Sequence, residues 1–465
     1  MSTAVIQENK NLIIKWLLTI ALTLACFLIP TTETFTFTMK IFAVNTIFGI
    51  LLMAFEVVPL LVPAVTLPLG YMIFNVAPAS TVWNGWTGDI PWTIMGAMLV
   101  ASIMQRTGAS NRVVFFFLKL AKGNFKVLMF AFFVPATLLA SIIPSSIPRV
   151  AIFCTIMLSL CTAMGFKPQS KAAAMCFCLV AVLGDDTSTQ FLTGASTNVT
   201  MLGLMQQRGY DPSYMQYLQY NFVPSSLFVL CSIALALWIF KSDETKISTK
   251  DWAEEQYKSL GKMDKNQLKA LIYAAVLILM LIGKNIHGLG PGKVFMIMIL
   301  LAFLPGFNVG KKEDIKAINF EMVLVIVATL AVGEAAVYCG AGPVLVSAIL
   351  PHMPEGNIAI CAFFYVVAYA GNLLLTPLGI VAGFGGTLMD LAGAMGLSPV
   401  GISYIFLFSL HQCILPYELT TNIMAYGFGM MNMKQFLLYF GAKSLLALVF
   451  LLFVYLPWFT LMGIM

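Results

Sequence analysis

The sequence predicts an all-α polytopic membrane protein of about 11 transmembrane helices plus two re-entrant hairpins, arranged as an inverted repeat. Of its 465 residues, 60% are hydrophobic and only 10% are charged, whereas about 25% are charged in an average soluble domain. Apolar stretches of about 20 residues, long enough to span a bilayer, recur along the chain. We assign the formal net charge of +6 to cytoplasmic loops, because no basic stripe with interleaved aromatics suggests nucleic-acid binding.

The first predicted element is a retained N-terminal membrane helix within residues 1–38. Its apolar segment, 12–29, follows Lys10 and Lys15. A signal peptide would offer a small-residue cleavage site after this segment, but Pro30 and a Thr-rich stretch follow instead. Because cytoplasmic flanks are enriched in Lys and Arg, we expect a cytoplasmic N-terminus and a multi-pass location in a bacterial plasma membrane.

Two repeats are predicted on either side of a hydrophilic stretch. That stretch holds seven lysines and six acids, so we expect a cytoplasmic linker with a solvated, amphipathic helix. Within each repeat, one apolar interval is too long for a single crossing and has Pro or Gly near its middle, which favours a re-entrant hairpin. A broken helix follows each hairpin. The predicted bounds are 39–240 for the first repeat (hairpin 127–164, broken helix 171–205), 241–269 for the linker, and 270–465 for the second repeat (hairpin 357–395, broken helix 401–431).

Loop charges predict that the two repeats have opposite orientations. Residues 75–89, before the segment 91–105, contain no Lys or Arg, whereas five basic residues follow between Arg106 and Lys126. In the second half, three lysines precede the segment 319–338, and residues 339–356 contain no Lys or Arg. Equivalent helices therefore cross in opposite directions, as in an inverted-topology repeat.

Two polar motifs also repeat at nearly one spacing. GASTNV at 194–199 matches ELTTNI at 418–423, and we pair Ser146, in the middle of the first hairpin, with Asn372 in the second. Half-helix N-termini attract anions, and Ser, Thr and Asn oxygens together with free carbonyls bind hard cations such as Na⁺. The motifs predict that four polar elements converge on a site for a small anion flanked by cation sites. We expect no cofactor, with Na⁺ as a candidate coupling ion.

At these residues the chain resembles the divalent anion:sodium symporter family of the ion transporter superfamily. That family has Ser-Asn-Thr at each hairpin tip, followed by a helix broken at a Thr-Pro-Pro-Asn-like turn. The resemblance extends from about residue 40 to the C-terminus and includes MQRTG at 104–108 and LP at 415–416. It implies a homodimer in the bilayer, in which a transport part moves as a rigid body against a scaffold.

The resemblance also implies specific site residues. The first cation site would use Ser141, Ser145, Ser146 and backbone near Gly194. The second would use Asn372 and backbone near Ala370 and Glu418. The substrate would be bound by polar residues of the tips and breaks, which are Ser146, Asn372, Thr197, Asn198, Thr420, Thr421 and Asn422. Ile147 and Leu373 replace the two family threonines, and Ser146 replaces the first asparagine, which predicts a less polar pocket.

Ionisable residues at membrane depth are further candidates, because burying them is expensive. Arg149 either clamps a substrate carboxylate or pairs with Asp185 or Asp186. These two aspartates either carry the coupling or form a water-facing helix break. Glu418 either serves a cation site or a coupling proton, or is a paired structural acid. Weaker candidates are Glu56, Glu334 and His411.

These features predict a secondary transporter of small organic anions, such as the di- or tricarboxylates succinate and citrate. Transport would occur by Na⁺ or H⁺ symport or by anion exchange, with an elevator-type movement. The alternatives are a sulfate-like oxyanion carrier and a cation/proton antiporter of the same superfamily. An intramembrane protease would need HExxH, or paired aspartates with a glycine two residues before Gly184, where the chain has Val182. HExxH and GxSxG do not occur, so we predict no enzyme. Two inverted halves fit a carrier with alternating access better than a channel with a fixed pore.

Overall fold

The computed structural model describes residues 3–55, 57–120, 124–143, 145–242, 250–373 and 375–465, which form helices and connecting loops without a β-strand. Eight helices in these residues are long and apolar enough to cross a membrane. They are Phe125–Ile142, Ser146–Ala163, Lys171–Gln190, Tyr214–Ile239, Lys265–Ile282, Phe320–Cys339, Pro377–Ala394 and Met433–Leu461. The all-α polytopic fold is confirmed; the count of about 11 spans and the re-entrant course of the hairpins stay predictions.

Other helices connect and flank these spans. In the first half they are Thr3–Phe27, Phe37–Phe55, Leu61–Ile73, Ala79–Val82, Ile90–Arg106, Ala109–Leu120 and Ser196–Gln207. In the second half they are Lys250–Ser259, Lys284–His287, Pro291–Phe303, Lys312–Lys316, Ala341–Ile349, Asn357–Asn372, Pro399–Leu410 and Thr420–Gly427.

A series of elements occurs twice in the same order along the chain. Two consecutive helices, which we call hairpin helices after the prediction, are separated by residues 143–145 (the first tip) and again by residues 373–376 (the second tip). A helix then stops and restarts across residues 185–195 (the first break) and again across 411–419 (the second break). The bounds of the two predicted repeats and their opposite orientation in a membrane stay predictions.

The structure corrects the predicted pairing of the two tips. Ser146 is the first residue of the second hairpin helix, whereas Asn372 is the last residue of a first hairpin helix. The counterpart of Ser145 is instead Thr376, since each lies directly before the second hairpin helix. Thr376 caps that helix by accepting the Gly379 amide at 3.2 Å, and Pro377 occupies the first turn, where proline is favoured.

The helices that lead into the breaks are buried on all sides. Residues 172–184 of Lys171–Gly184 and residues 401–410 of Pro399–Leu410 are all buried. Each helix begins at a serine cap, Ser170 or Ser398, whose side chain accepts a backbone amide. A helix that is apolar all round is expected to be surrounded by protein or lipid. These two helices therefore place both breaks inside the protein.

The linker helix Lys250–Ser259 packs through one face against the rest of the protein, while its cytoplasmic location stays a prediction. Its Trp252 is buried, with its ring 5.9 Å from that of Phe115 on helix Ala109–Leu120. Lys119 of the same helix lies 3.5 Å from the Tyr257 ring centroid, a cation–π contact. The helix thus docks through one face. Residues 243–249 of the predicted linker lie outside the described residues.

Candidate functional site

The two tips and the two breaks meet around one cavity of about 180 Å³, which we call the central cavity. Every one of the four segments contributes to its walls, as the repeated motifs predicted. The lining residues among those described are Ser145, Ser146, Ile147, Asp185, Ala195, Ser196, Thr197, Met322, Thr376, Pro377, Leu378, Leu410, His411, Leu419, Thr420 and Thr421.

Four helices begin at this cavity. Ser146–Ala163 starts at the first tip, Pro377–Ala394 at the second tip, Ser196–Gln207 after the first break and Thr420–Gly427 after the second. The first residues of all four line the cavity. The first amides of a helix have no partner within the helix, and its N-terminus carries a partial positive charge. The arrangement therefore favours an anion.

Two buried threonine hydroxyls are available to a ligand. Thr197 and Thr421 are each the second residue of the helix that follows a break, and both line the cavity. Their Oγ1 atoms are buried and have no hydrogen-bond partner in the described part of the chain. Because an unpaired buried hydroxyl is costly, these two groups fit a bound polar ligand.

None of the three predicted asparagines is among the residues that line the cavity; two of them bond backbone carbonyls and the third contacts a cysteine side chain. Asn198 Nδ2 donates to the Ser188 and Phe191 carbonyls of the first break, each at 3.0 Å. Asn422 Nδ2 lies 2.7 Å from Cys413 Sγ in the second break. Asn372 Nδ2 donates to the Leu410 and Gln412 carbonyls at 3.0 and 3.1 Å. These residues fix the shape of the breaks from behind the cavity wall.

Arg149 is completely buried, and its guanidinium faces backbone carbonyls. Nε donates to Gly184 O at 3.0 Å, and Nη1 donates to Gly194 O at 2.9 Å and also to Ile143 O. It does not line the central cavity as described. Neither alternative considered from the sequence, a substrate clamp or a pair with an aspartate, matches this geometry.

Asp185 and His411 form a pair that joins the two breaks. Each is the first residue after the buried helix of its half, and both line the cavity. His411 Nδ1 lies 2.9 Å from Asp185 Oδ2, while His411 Nε2 is buried and has no partner within the described ranges. The next residue, Asp186, receives Lys443 Nζ at 2.7 and 2.8 Å. The two aspartates are therefore paired with groups from the second half.

The residues predicted to hold cations divide into two kinds. In the first set, the Ser141 hydroxyl donates to Leu138 O at 2.8 Å, Ser145 and Ser146 line the cavity, and Gly194 O accepts from Arg149. In the second set, Asn372 Oδ1 is buried without a partner in the described residues. That oxygen is a suitable ligand for a hard cation such as Na⁺.

The backbone of the second predicted cation set is already hydrogen-bonded in part, and one carboxylate oxygen of Glu418 is bonded within the second break. Ala370 O accepts the Leu373 amide at 3.2 Å. Glu418 Oε1 accepts the Ile414 and Leu415 amides at 3.1 and 2.7 Å, and Oε2 is buried with no partner found in the described chain. No group of three or more His, Cys, Asp or Glu suited to a metal ion occurs among the described residues.

The weaker candidates lie apart from the site, with one exception. Glu334 accepts the Asn84 side chain at 3.0 Å, away from the cavity, and Glu56 lies outside the described residues. His411 is the exception. The residues that the sequence did not single out are Thr376, Leu378 and Met322 of the wall, and Lys443 behind it. The Thr-Pro dipeptide at 376–377 was a helix-start signal that would have located the second tip.

Comparison with known proteins gives three similarities. The family described as the sodium:sulfate symporter transmembrane region matches residues 10–465. The chain is 28% identical over 217 residues to the chloroplastic dicarboxylate transporter 1 of Spinacia oleracea, a match that covers 45% of this chain and 37% of that protein. The crystal structure of the Alcanivorax borkumensis YdaH transporter has a similar fold, with a TM-score of 0.51 and 14% identity over 85% of this chain and 88% of that chain.

Proposed function

The chain belongs to the sodium:sulfate symporter family, and from this membership we propose that it carries small dicarboxylates through the central cavity. The family is one of multi-span membrane transporters of anions, so the chain is a transporter and not an enzyme. The observation that carries the proposal is the meeting of four helix N-termini at one cavity. Backbone amides and helix dipoles there attract a dianion without a dedicated basic side chain.

The size and lining of the cavity favour a small dicarboxylate. Its volume of about 180 Å³ is below the range of about 300–1,000 Å³ that holds drug-sized ligands. Polar groups stand at the helix starts, and the apolar side chains of Ile147, Leu378 and Met322 lie among them. Two carboxylates joined by a short hydrocarbon chain match such a mixed wall. The name of the spinach relative points to the same class.

A sulfate-like oxyanion is the second candidate, and the family description favours it. Sulfate has no hydrocarbon part, so it would leave the apolar part of the wall without a partner. For either anion we propose that Thr197 and Thr421 donate their hydroxyls, with Ser145, Ser146, Ser196 and Thr420 beside them. Asn198, Asn372 and Asn422 would position the breaks. A cation/proton antiporter would not need the four helix N-termini.

The coupling and the movement are also part of the proposal. Na⁺ is the coupling ion that the family description suggests, and Asn372 Oδ1 is the side-chain oxygen we assign to it. The tips and breaks would move together as one transport part, in a homodimer within the bilayer. Light scattering of the detergent-purified protein tests the dimer, because a mass of one chain after subtraction of detergent would contradict it.

Uptake into proteoliposomes tests the substrate. Labelled succinate, citrate and sulfate would be offered with Na⁺ and pH gradients imposed separately, and empty liposomes would serve as the control. We expect saturable succinate uptake that unlabelled dicarboxylates inhibit more strongly than sulfate does. Sulfate uptake that succinate leaves unchanged would favour the second candidate. Na⁺/H⁺ exchange without any anion flux would contradict both.

The predicted orientation of the second half has its own test. Glu355→Cys and Lys262→Cys introduce thiols at exposed positions on what we expect to be the external and cytoplasmic sides. In intact cells, a membrane-impermeant maleimide should label the first variant and not the second, relative to the unsubstituted protein. Labelling of both positions from outside would contradict the topology.

A further inference from the structure

Arg149 brings three distant backbone segments together around one positive charge. The carbonyl of Ile143 belongs to the first tip, that of Gly184 ends the helix before the first break, and that of Gly194 ends the break itself. All three accept from the same guanidinium, which is fully buried. Carbonyls freed by an unwound helix, close to a hairpin tip, are the ligands with which a membrane transporter binds a hard cation. Here a side chain supplies the cation.

In the second half, the carbonyl that corresponds to that of Gly184 has a neutral hydrogen-bond donor. Leu410, like Gly184, is the last residue of the buried helix before a break. Its carbonyl accepts from the neutral amide of Asn372 at 3.0 Å. Asn372 brings no charge, and its own Oδ1 has no partner in the described part of the structure.

In the second break Lys443 Nζ reaches the His411 carbonyl at 3.4 Å, but Asp186 balances its charge. Asn198 Oδ1 of the first half, like Asn372 Oδ1, has no partner in the described residues. The two halves therefore differ in the guanidinium that the three carbonyls of the first half surround.

We infer that the Arg149 guanidinium replaces the exchangeable cation of the first half, so that only the second half binds Na⁺. A guanidinium remains protonated at all physiological pH values, and it cannot leave with the substrate. A sodium ion about 4 Å from it would lose roughly a thousandfold in affinity at an effective dielectric constant of about 20. The residues of the first site consequently do not fit Na⁺. This inference rests on the proposed function only in taking the tips and breaks as the transport site.

The test replaces the fixed charge and asks whether Na⁺ takes its place. In Arg149→Ser the three carbonyls lose their donor, whereas Arg149→Lys keeps a positive charge there. Thermal unfolding of the purified protein would be measured in NaCl, KCl and choline chloride, so that the readout does not depend on a known substrate. We expect Na⁺ to raise the unfolding temperature of Arg149→Ser more than that of the wild type or of Arg149→Lys. Potassium and choline should not reproduce the difference.

The Na⁺ dependence of uptake gives the second measurement. With one exchangeable site, the wild-type Hill coefficient for Na⁺ should not exceed about 1, and in Arg149→Ser it should approach about 2. Arg208→Ser is the control, because Arg208 pairs with Asp390 at 2.7 Å, away from both tips; it should keep the wild-type response to Na⁺.

Two results would overturn the inference. One is a folded Arg149→Ser protein with the same response to Na⁺ as the wild type. The other is a wild-type Hill coefficient near 2, which needs no variant and so stands even if Arg149→Ser does not fold. If no dicarboxylate is transported, the proposed function fails, but the unfolding experiment still decides the role of Arg149.

Discussion

Thr197 and Thr421 show how a repeated residue acquires a role from its position. Both follow a break by one helical residue, where the backbone has just restarted and the side chain points to the shared cavity. A threonine further along the same helix, Thr200, donates to Ser196 O at 2.8 Å and is thus satisfied within the helix. The hydroxyls of the two cavity threonines, by contrast, have no partner in the described residues, and we propose that they bind the ligand.

Replacing either cavity threonine with valine should weaken substrate binding. Valine keeps the shape but removes a hydrogen bond to a charged group, worth about 1.5 kcal/mol, so each variant should raise KM roughly tenfold. The measurement is concentration-dependent uptake of the anion found in the liposome assay. Thr162→Val, whose exposed hydroxyl bonds Leu158 O at 2.9 Å, is the matched control. An unchanged KM in both Thr197→Val and Thr421→Val would show that the anion binds elsewhere.

The buried ion pair of Asp186 and Lys443 is a single-residue contribution to the stability of the folded protein. Their side chains are 3% and 2% exposed, with Nζ and Oδ2 2.7 Å apart. Removing one partner of such a pair leaves an uncompensated buried charge, which costs about 3–5 kcal/mol. The pair holds the final long helix against the first break.

We therefore expect Asp186→Asn to lower the thermal stability of the detergent-solubilised protein strongly. The double variant Asp186→Asn with Lys443→Met should recover much of the loss, because it leaves no unpaired charge. For comparison, Lys284→Met removes the more exposed pair with Asp211 and should cost at most about 1 kcal/mol. Equal stability of Asp186→Asn and the wild type would mean that Lys443 does not depend on this partner.

At the scale of elements, the first break depends on a close approach of backbone to backbone. A Cβ atom added to Gly194 would lie 2.2 Å from the Ser188 carbonyl oxygen and 2.8 Å from Ser188 Cα. The same loop is fixed by Asn198, which donates to Ser188 O. The chain therefore folds back on itself tightly enough that only glycine fits.

Gly194→Ala should open the first break and reduce transport at least tenfold. The added methyl group cannot be accommodated by a side-chain rotation, because it meets main chain, and the Gly194 carbonyl moves away from Arg149. Uptake and thermal unfolding would be compared with Gly427→Ala, where an added Cβ meets nothing within 4 Å and both properties should stay unchanged. Full transport by Gly194→Ala would indicate that the break does not need this geometry.

The helix interruptions at the tips and breaks were predictable because Pro, Gly and paired polar motifs interrupt apolar stretches. The alignment of the two tips was not predictable. We paired Ser146 with Asn372 because both are polar, but the helix that corresponds to the one starting at Ser146 starts at Pro377. The sequence indicates that Arg149 is a charge at membrane depth, but its partners are main-chain carbonyls from three segments, which no side-chain pattern reveals. Lys443 lies in a long apolar stretch, and its partner is 257 residues away.

At the scale of the whole molecule, an ion pair joins the two halves outside the spans. Arg106, in the MQRTG motif, donates to both carboxylate oxygens of Asp314 at 2.7–3.0 Å. Burial by itself would raise the pKa of Asp314, but hydrogen bonds from Arg106, the Lys311 amide and Ser102 lower it below the usual value. The motif that supported the family resemblance thus connects the two halves of the chain.

Asp314→Asn should destabilise the protein at pH 7 by about 2 kcal/mol, because a charge-assisted contact is lost. A carboxyl group with a lowered folded pKa stabilises fully above its unfolded pKa of about 3.9, and this stabilisation is lost as the pH falls through the folded value. The difference between the wild type and the variant should thus be constant from pH 8 to about 5 and narrow below about 4. Glu355→Gln, at an exposed position, is the control. If the stability difference between the wild type and Asp314→Asn disappeared between pH 7 and 5, the lowered pKa of Asp314 would be contradicted.

The four converging helix starts have a consequence for how such a protein changes over generations. Attraction for anions resides there in main-chain groups, which no point substitution removes while the helices persist. Side chains such as Ile147, Leu378 and Met322 can then vary freely between apolar and polar without abolishing anion binding. Substrate preference can therefore change while the affinity for negative charge is kept. New specificities can arise by single substitutions, each of which leaves a functional anion transporter.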